Sequence, residues 1–243
     1  NVTLTSGMRA NLFSLQQTQT MMETTQTRLS TGKRVNSALD DPINFFAAQG
    51  HTQRAGDLAM RKDEMSEAIQ TIKAADNGLS AITDMIASAK SLAQSALATN
   101  DTAERETLAD QYDTMMTQIG LQQDDSGYKG TNLLDASQSI TVSFNEDGTS
   151  NLVVSGQDVL GELETTAGDW ENADVGTGVT AIEASITALD DARDIVRTSA
   201  KTLSNQLSTI TTRQEFTSKM INTLEDGAAT LVNADLNEEG ANM

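Results

Sequence analysis

The chain has 243 residues, 37% apolar and only 3% aromatic, which argues against a thick multilayer core and favours thin helical layers. Its net charge of −19 opposes binding to nucleic-acid phosphates or to an anionic membrane surface. The absence of cysteine removes disulfides and thiolate metal sites, and no run of about 18 apolar residues predicts a membrane span.

The first predicted element is a helix ending near Gly32. Met8, Leu12, Leu15, Met22 and Leu29 recur in alternating steps of four and three, with Gln19 and Gln26 in the same row. That spacing puts one narrow apolar row on one helix face. Gly32 can adopt the left-handed conformation that closes a helix, and Lys33 and Arg34 follow the negative end of its dipole. A connector over 35–39 then leads to Asp40-Asp41-Pro42. Asp41 is suited to cap the next helix and Pro42 to begin it, since its missing N–H would be unpaired there in any case.

A long second helix is expected from about Pro42 to Thr99. Its seam runs Ile69, Ile72, Ala75, Leu79, Ile82, Ile86, Ala89, Ala93 and Ala96, and the small residues at the far end permit close helix approach. Gly78 within this helix costs about 1 kcal/mol relative to alanine, so close packing or a local irregularity is expected there. Thr99-Asn100-Asp101 marks a break, and Asp101 with Glu104 has the spacing of a reciprocal cap. The third helix, about 102–122, presents Leu108, Tyr112, Met115 or Met116, and Ile119, and ends at Asp124-Asp125-Ser126-Gly127.

Alternation of Ile140, Val142 and Phe144, a turn at Asn145–Gly148 and a return over Leu152–Val154 predict a hairpin. Residues 155–178 read as loop with a short helix, where Trp170 anchors a local core. The final helix has the most regular seam: Ile182, Ile186, Leu189, Val196, Ala200, Leu203, Leu207, Ile210, Ile221 and Leu224, interrupted by Arg193, Gln214 and Thr217. A 3.5-residue repeat of this length specifies a partner helix along its whole span, roughly 70 Å from Gly178 to Leu224. Because the chain reverses through the hairpin region, this seam is expected to pack antiparallel on residues 69–96. The predicted fold class is therefore mainly α: an elongated bundle of long antiparallel coiled-coil helices with a small β-hairpin region.

Motifs for chemistry are sparse. His51 is the sole histidine, and it reads as a solvated or capping residue near a helix start. Acidic pairs such as Asp190-Asp191 and Glu238-Glu239 read as caps and solvated charge, without calcium-loop spacing. No catalytic, cofactor or metal site is predicted. Three classes suit such rods: a filament subunit, a chemoreceptor-type signalling hairpin, or a secreted coiled-coil interaction protein. A strand-containing centre between unequal arms does not suit the signalling hairpin.

Four local stretches resemble the bacterial flagellin family. Leu29-Ser30-Thr31-Gly32-Lys33-Arg34-Val35-Asn36-Ser37-Ala38, followed by Asp40-Asp41, is similar to its spoke signature. Ala68-Ile69-Gln70-Thr71-Ile72-Lys73-Ala74-Ala75-Asp76-Asn77-Gly78-Leu79 resembles one of its rod helices, and Tyr128-Lys129-Gly130-Thr131-Asn132-Leu133-Leu134 one of its turns. Ala234-Asp235 with Asn242-Met243 resembles the start of its terminal helix.

The resemblance implies a non-enzymatic subunit that polymerises into the flagellar filament, exported through the flagellar channel without a cleaved signal and used for motility. It implies an N-terminal inner-tube helix at 1–32, a spoke at 33–41 using Gly32, Arg34, Asn36, Asp40 and Asp41, and rod helices at 42–134. The hairpin and loop region would occupy 135–177, the C-terminal rod helix 178–232, and the start of a second inner-tube segment 233–243. Met8, Leu12, Leu15, Met22 and Leu29 become inner-tube assembly residues, and the filament is expected to be smooth. Further copies, an export chaperone and a cap protein are the implied partners, with no nucleic acid and no membrane. Family members continue past the point matching Met243, so residues 1–31 are expected to be mobile in a monomer and the 243-residue chain to stay monomeric. Weak immune-receptor recognition is expected, because Ala87 and Gln111 replace an arginine and a glutamate. Two alternatives remain: a hook-filament junction protein, and a surface glycan-binding module using the hairpin and Trp170.

Overall fold

The computed structural model describes residues 5–159, 161, 167, 170 and 177–243. In chain order the elements are α1 (Ser6–Thr31), α2 (Pro42–Ala98), α3 (Thr102–Asp124), β1 (Ser139–Ser143), β2 (Asn151–Ser155), α4 (Thr177–Val232) and α5 (Leu236–Asn242). The predicted mainly-α class holds, with a single antiparallel two-stranded sheet among the described residues. Two compact units result, Asn1–Ala59 with Ser218–Met243, and Met60–Thr217.

The Met60–Thr217 unit is organised by the two long seams. Ile69, Ile72, Leu79, Ile82 and Ile86 of α2 are buried, as are Ile182, Leu189, Val196, Leu203 and Ile210 of α4, all within one core. Ile186 and Leu207 pack against that core only partly buried. Ala75, Ala89, Ala93 and Ala96 lose all exposure, consistent with the close approach that small side chains allow. The antiparallel direction expected for the pair is observed: Lys90 Nζ donates to both Asp190 carboxylate oxygens at 2.6 and 2.7 Å, and Gln214 Nε2 donates to Ser66 Oγ at 2.7 Å.

Gly78 leaves α2 unbroken and marks close packing: a Cβ there would overlap Ser126 Oγ and press on Leu134 Cδ1. Asp101 caps α3 through the N–H groups of Ala103 and Glu104. The reciprocal half of the expected box is absent, because Glu104 instead accepts from the Thr99 hydroxyl at 2.7 Å and Thr99 Oγ1 accepts from the Asp101 N–H. Arg105, 4% exposed, donates from Nε to the Ala96 and Thr99 carbonyls and so satisfies the C-terminal end of α2. α3 continues two residues beyond the expected 122, to Asp124, where Asn132 Nδ2 donates to the Gln123 carbonyl at 2.7 Å.

Between α3 and β1 the chain turns at Tyr128–Thr131, whose backbones bond in both directions. Lys129 and Gly130 have φ of 48° and 83°, the two left-handed positions that so tight a reversal demands. Leu133 and Leu134 then enter the core. β1 begins one residue before the expected Ile140, and pairing runs from Ser139–Ser155 to Ser143–Asn151, leaving Phe144 just beyond the ladder. Val142 and Val154 face the core. Trp170 is fully buried, its ring 4.7 Å from that of Tyr112 and its Nε1 donating to Ser185 Oγ at 3.3 Å. It is thus the local anchor expected. The loop and short helix expected over 155–178 lie largely outside the described residues.

Candidate functional site

The candidate site is the Asn1–Ala59 and Ser218–Met243 unit, where the sequence places the spoke and the assembly helix. α1 closes as expected: Gly32 takes φ 68° and its N–H reaches the Arg28 carbonyl at 2.8 Å. The following strand-like residues bind the end of α4. Arg34 and Val35 both donate backbone N–H groups to the Val232 carbonyl, Lys33 bridges Asn233, and the Ala234 N–H returns to the Gly32 carbonyl at 3.0 Å. This short ladder ties both chain ends to one place.

Asp40 holds the bend over 36–40. One carboxylate oxygen accepts from the N–H groups of Asn36 and Ser37 at 3.0 and 2.9 Å, and from the Ser37 hydroxyl. The backbone donors of Ser37 and Asn36, above all, hold the Asp40 carboxyl below its ordinary pKa. Asn36 in turn donates through Nδ2 to the Lys33 carbonyl. Asp41 caps α2 as predicted, accepting from the Asn44 backbone and side chain, which lowers its pKa as well. Arg34 reaches the Leu231 carbonyl at 3.4 Å. Of the five residues singled out in the sequence, Asn36 and Asp40 share one hydrogen-bonded bend, Gly32 and Arg34 bond the chain around the end of α4, and Asp41 bonds Asn44 of α2.

The four-three row expected to serve assembly is displayed rather than covered. Met8, Leu12, Leu15 and Met22 are all exposed on an unbroken α1, and Leu29 is half-buried. Phe13, 68% exposed, and Met21 add apolar surface outside the strict four-three row. Leu39, Ile43 and Phe46 form a second exposed group around the start of α2, which periodicity did not single out. Leu224 and the half-buried Ile221 pack with Ala55 and Leu58, so the seam of α4 continues into this unit. His51 lies on α2 near Gly227 and is half-buried, in place of a cap. α5 meets α1 through Arg28 Nη1 and Glu239 Oε1 at 2.8 Å. That pair was not legible in the sequence, because 211 residues separate its members.

Among the described residues no cluster of three or more histidine, cysteine, aspartate or glutamate side chains could hold a metal ion, and no helix is long and apolar enough to cross a membrane. What the unit presents is apolar helix surface beside a hydrogen-bonded bend.

The profile of the bacterial flagellin N-terminal helical region matches residues 4–139, more than half of the chain. The chain belongs to the bacterial flagellin family. This flagellin is 26% identical to the flagellin FljM of Caulobacter vibrioides, in an alignment covering 100% of this chain and 88% of that protein. It is 24% identical to a flagellin of Brucella melitensis, over 96% of this chain and 85% of the relative. The crystal structure of Bacillus cereus flagellin superposes with a TM-score of 0.53 at 17% identity, covering 63% of this chain and 88% of that one, a likeness of fold. This flagellin is a structural subunit of the flagellar filament. The glycan-binding alternative meets a physical obstacle, since both faces of Trp170 are buried and its N–H is already satisfied.

Proposed function

We propose that the subunit joins the filament with 1–32 and 233–243 in an inner layer, 33–41 as the spoke, and 42–134 with 178–232 in an outer rod carrying 135–177. The supporting observation is the exposed row Met8, Leu12, Leu15 and Met22 on an intact helix. A helix whose apolar face meets only water gains little from folding alone, so this row calls for a partner surface. Neighbouring copies supply that surface in the filament. An export chaperone covers the same row beforehand, and a cap protein guides insertion at the growing tip. The role is mechanical, with no catalytic step. Ala87 and Gln111 are exposed, and neither carries the charge that strong immune-receptor recognition would use.

Filament elongation from fluorescently seeded flagellar fragments tests this reading. A version of the chain extended by a flagellin C-terminal helix is expected to add to seed ends, and the double substitution Leu12→Asp and Leu15→Asp in it, at positions already in water, to abolish addition without changing the melting temperature. Equal addition by both proteins would overturn the assignment of the row. A protein that binds one end and stops growth would support the hook-filament junction reading instead.

A further inference from the structure

Sulfur in this chain is confined to ten methionines, since cysteine is absent. Their exposure divides sharply. Met65 is fully buried, and Met85, Met115, Met116 and Met220 pack partly buried against the two cores, whereas Met8 and Met22 of the four-three row are 54% and 47% exposed. Met21, Met60 and Met243 are exposed as well. Trp170, the sole tryptophan and another readily oxidised side chain, is fully buried. An oxidant in solution therefore meets thioethers first, and three of them lie on α1. Mobility of 1–31 in the free subunit, as the sequence leads one to expect, leaves these sulfurs in water equally, so their access does not depend on α1 being folded.

We propose that Met8 and Met22 are a modification site for hydrogen peroxide, and that conversion of their thioethers to sulfoxides withholds the free subunit from the filament. The sulfur lone pair attacks one peroxide oxygen, and the O–O bond breaks as the S–O bond forms. Sulfur gives up two electrons, and the departing hydroxide takes the proton of the transferred oxygen and leaves as water. A flexible apolar side chain thereby becomes a polar one with a strong acceptor. In water the change costs little, because the acceptor is hydrated. Beneath a neighbouring subunit the same acceptor is desolvated, which is costly unless a donor faces it. Leu12, Leu15 and Leu29 share the row and carry no such chemistry, so the two methionines set its sensitivity. Once covered in a polymer the sulfurs are shielded, and the response then acts on growth and not on filament already built. The inference rests on the row serving as an assembly surface.

Hydrogen peroxide treatment followed by peptide mass spectrometry and seeded elongation tests it. In the 243-residue chain, Met8 and Met22 are expected to gain oxygen at least about tenfold faster than Met65, which reacts only when the core opens. In the chain extended by a methionine-free flagellin C-terminal helix, the same treatment is expected to slow addition to seeds at least about tenfold, the scale of one unpaired buried acceptor. Methionine sulfoxide reductases for both epimers, with dithiothreitol as reductant, are expected to restore addition. The volume-conserving pair Met8→Leu and Met22→Leu is expected to add normally and to keep adding after peroxide, whereas Met21→Leu with Met60→Leu stays sensitive. Undiminished addition by the oxidised parent would overturn the inference, as would a Met8→Leu and Met22→Leu chain that still loses addition. If Leu12→Asp with Leu15→Asp blocks addition while oxidation does not, this inference alone fails; if neither blocks it, the assembly reading fails with it.

Discussion

Gln214 donates to Ser66 across the α2–α4 seam, and Lys90 donates to Asp190 at the same relative register, 24 residues further along one helix and 24 back along the other. Two polar contacts at equal separation require an antiparallel pair without slippage between them. Gln214 breaks the apolar repeat, and its amide is satisfied by the Ser66 hydroxyl and, more loosely, by the Lys62 carbonyl at 3.4 Å. A polar residue of this kind specifies alignment at some cost in stability.

Leu203 is fully buried in the α4 seam, so Leu203→Asp would place an unpaired charge against α2. The expected loss is about 3 kcal/mol or more, which lowers the melting temperature by at least about 6 °C for a chain of this size. Calorimetry showing a shift of a degree or less would remove Leu203 from the seam.

Gly78→Ala sets two effects against each other. Alanine gains about 1 kcal/mol of helix propensity, but its methyl overlaps Ser126 Oγ, and overpacking costs typically about 1–3 kcal/mol. The net expectation is a lower urea midpoint, relieved in the double variant Gly78→Ala and Ser126→Gly. A stabilised single variant would show that α2 and the 126–134 turn are less tightly packed than the distances indicate.

Trp170 is the sole tryptophan, so its emission reports one site. Burial against Tyr112 predicts a blue-shifted maximum that moves to the red on unfolding, and Trp170→Ala is expected to cost about 3–5 kcal/mol. Replacing residues 139–170 by a short linker is expected to lower thermal stability while leaving secretion intact. Saturable quenching of the native emission by a polysaccharide would contradict this and restore the glycan-binding reading.

Acid should act on the spoke before it acts on most of the apolar seam. The folded pKa of Asp40 lies below its ordinary 3.8, so its contribution is complete above about that pH and is lost as pH falls through the lower folded value. The same sign holds for Asp190, lowered chiefly by its hydrogen bond from Lys90. No loss from these groups is therefore expected between about pH 8 and 5. Exchange of the Asn36 and Ser37 amides should accelerate below about pH 4 in the parent. Asp40→Asn should exchange quickly at neutral pH already; an acid response unchanged in that variant would assign the effect elsewhere.

Ionic strength provides a further check. The Met60–Thr217 unit holds 26 of the 35 acidic and 10 of the 16 basic residues, a formal −16 of the −19 total. Like-charged units repel over about a Debye length, near 10 Å at 0.1 M salt. Light scattering is expected to show self-association rising with added sodium chloride. Association that falls with salt would mean that attractive ion pairs dominate between subunits.

The sequence by itself determined the elements and their faces, because helix periodicity, capping and turn chemistry are local. The seams of α2 and α4 were legible from spacing, as were Asp41 before Pro42, Asp101 as the cap of α3, and Gly32 as the end of α1. Their local words also carried the resemblance to flagellins. Tertiary structure alone decided which distant groups meet. Arg105 over the end of α2, Asn132 over the end of α3, Trp170 on Tyr112 and Arg28 with Glu239 arise from how the chain reverses, and no periodicity encodes them. Glu104 shows the same limit at short range, since its cap spacing was correct but it accepts from the Thr99 hydroxyl, and the Asp101 amide it was expected to serve donates to that same hydroxyl. The apolar row of α1 marks the boundary between the two: its spacing was readable, but whether water or protein covers it depends on what lies beside the folded helix.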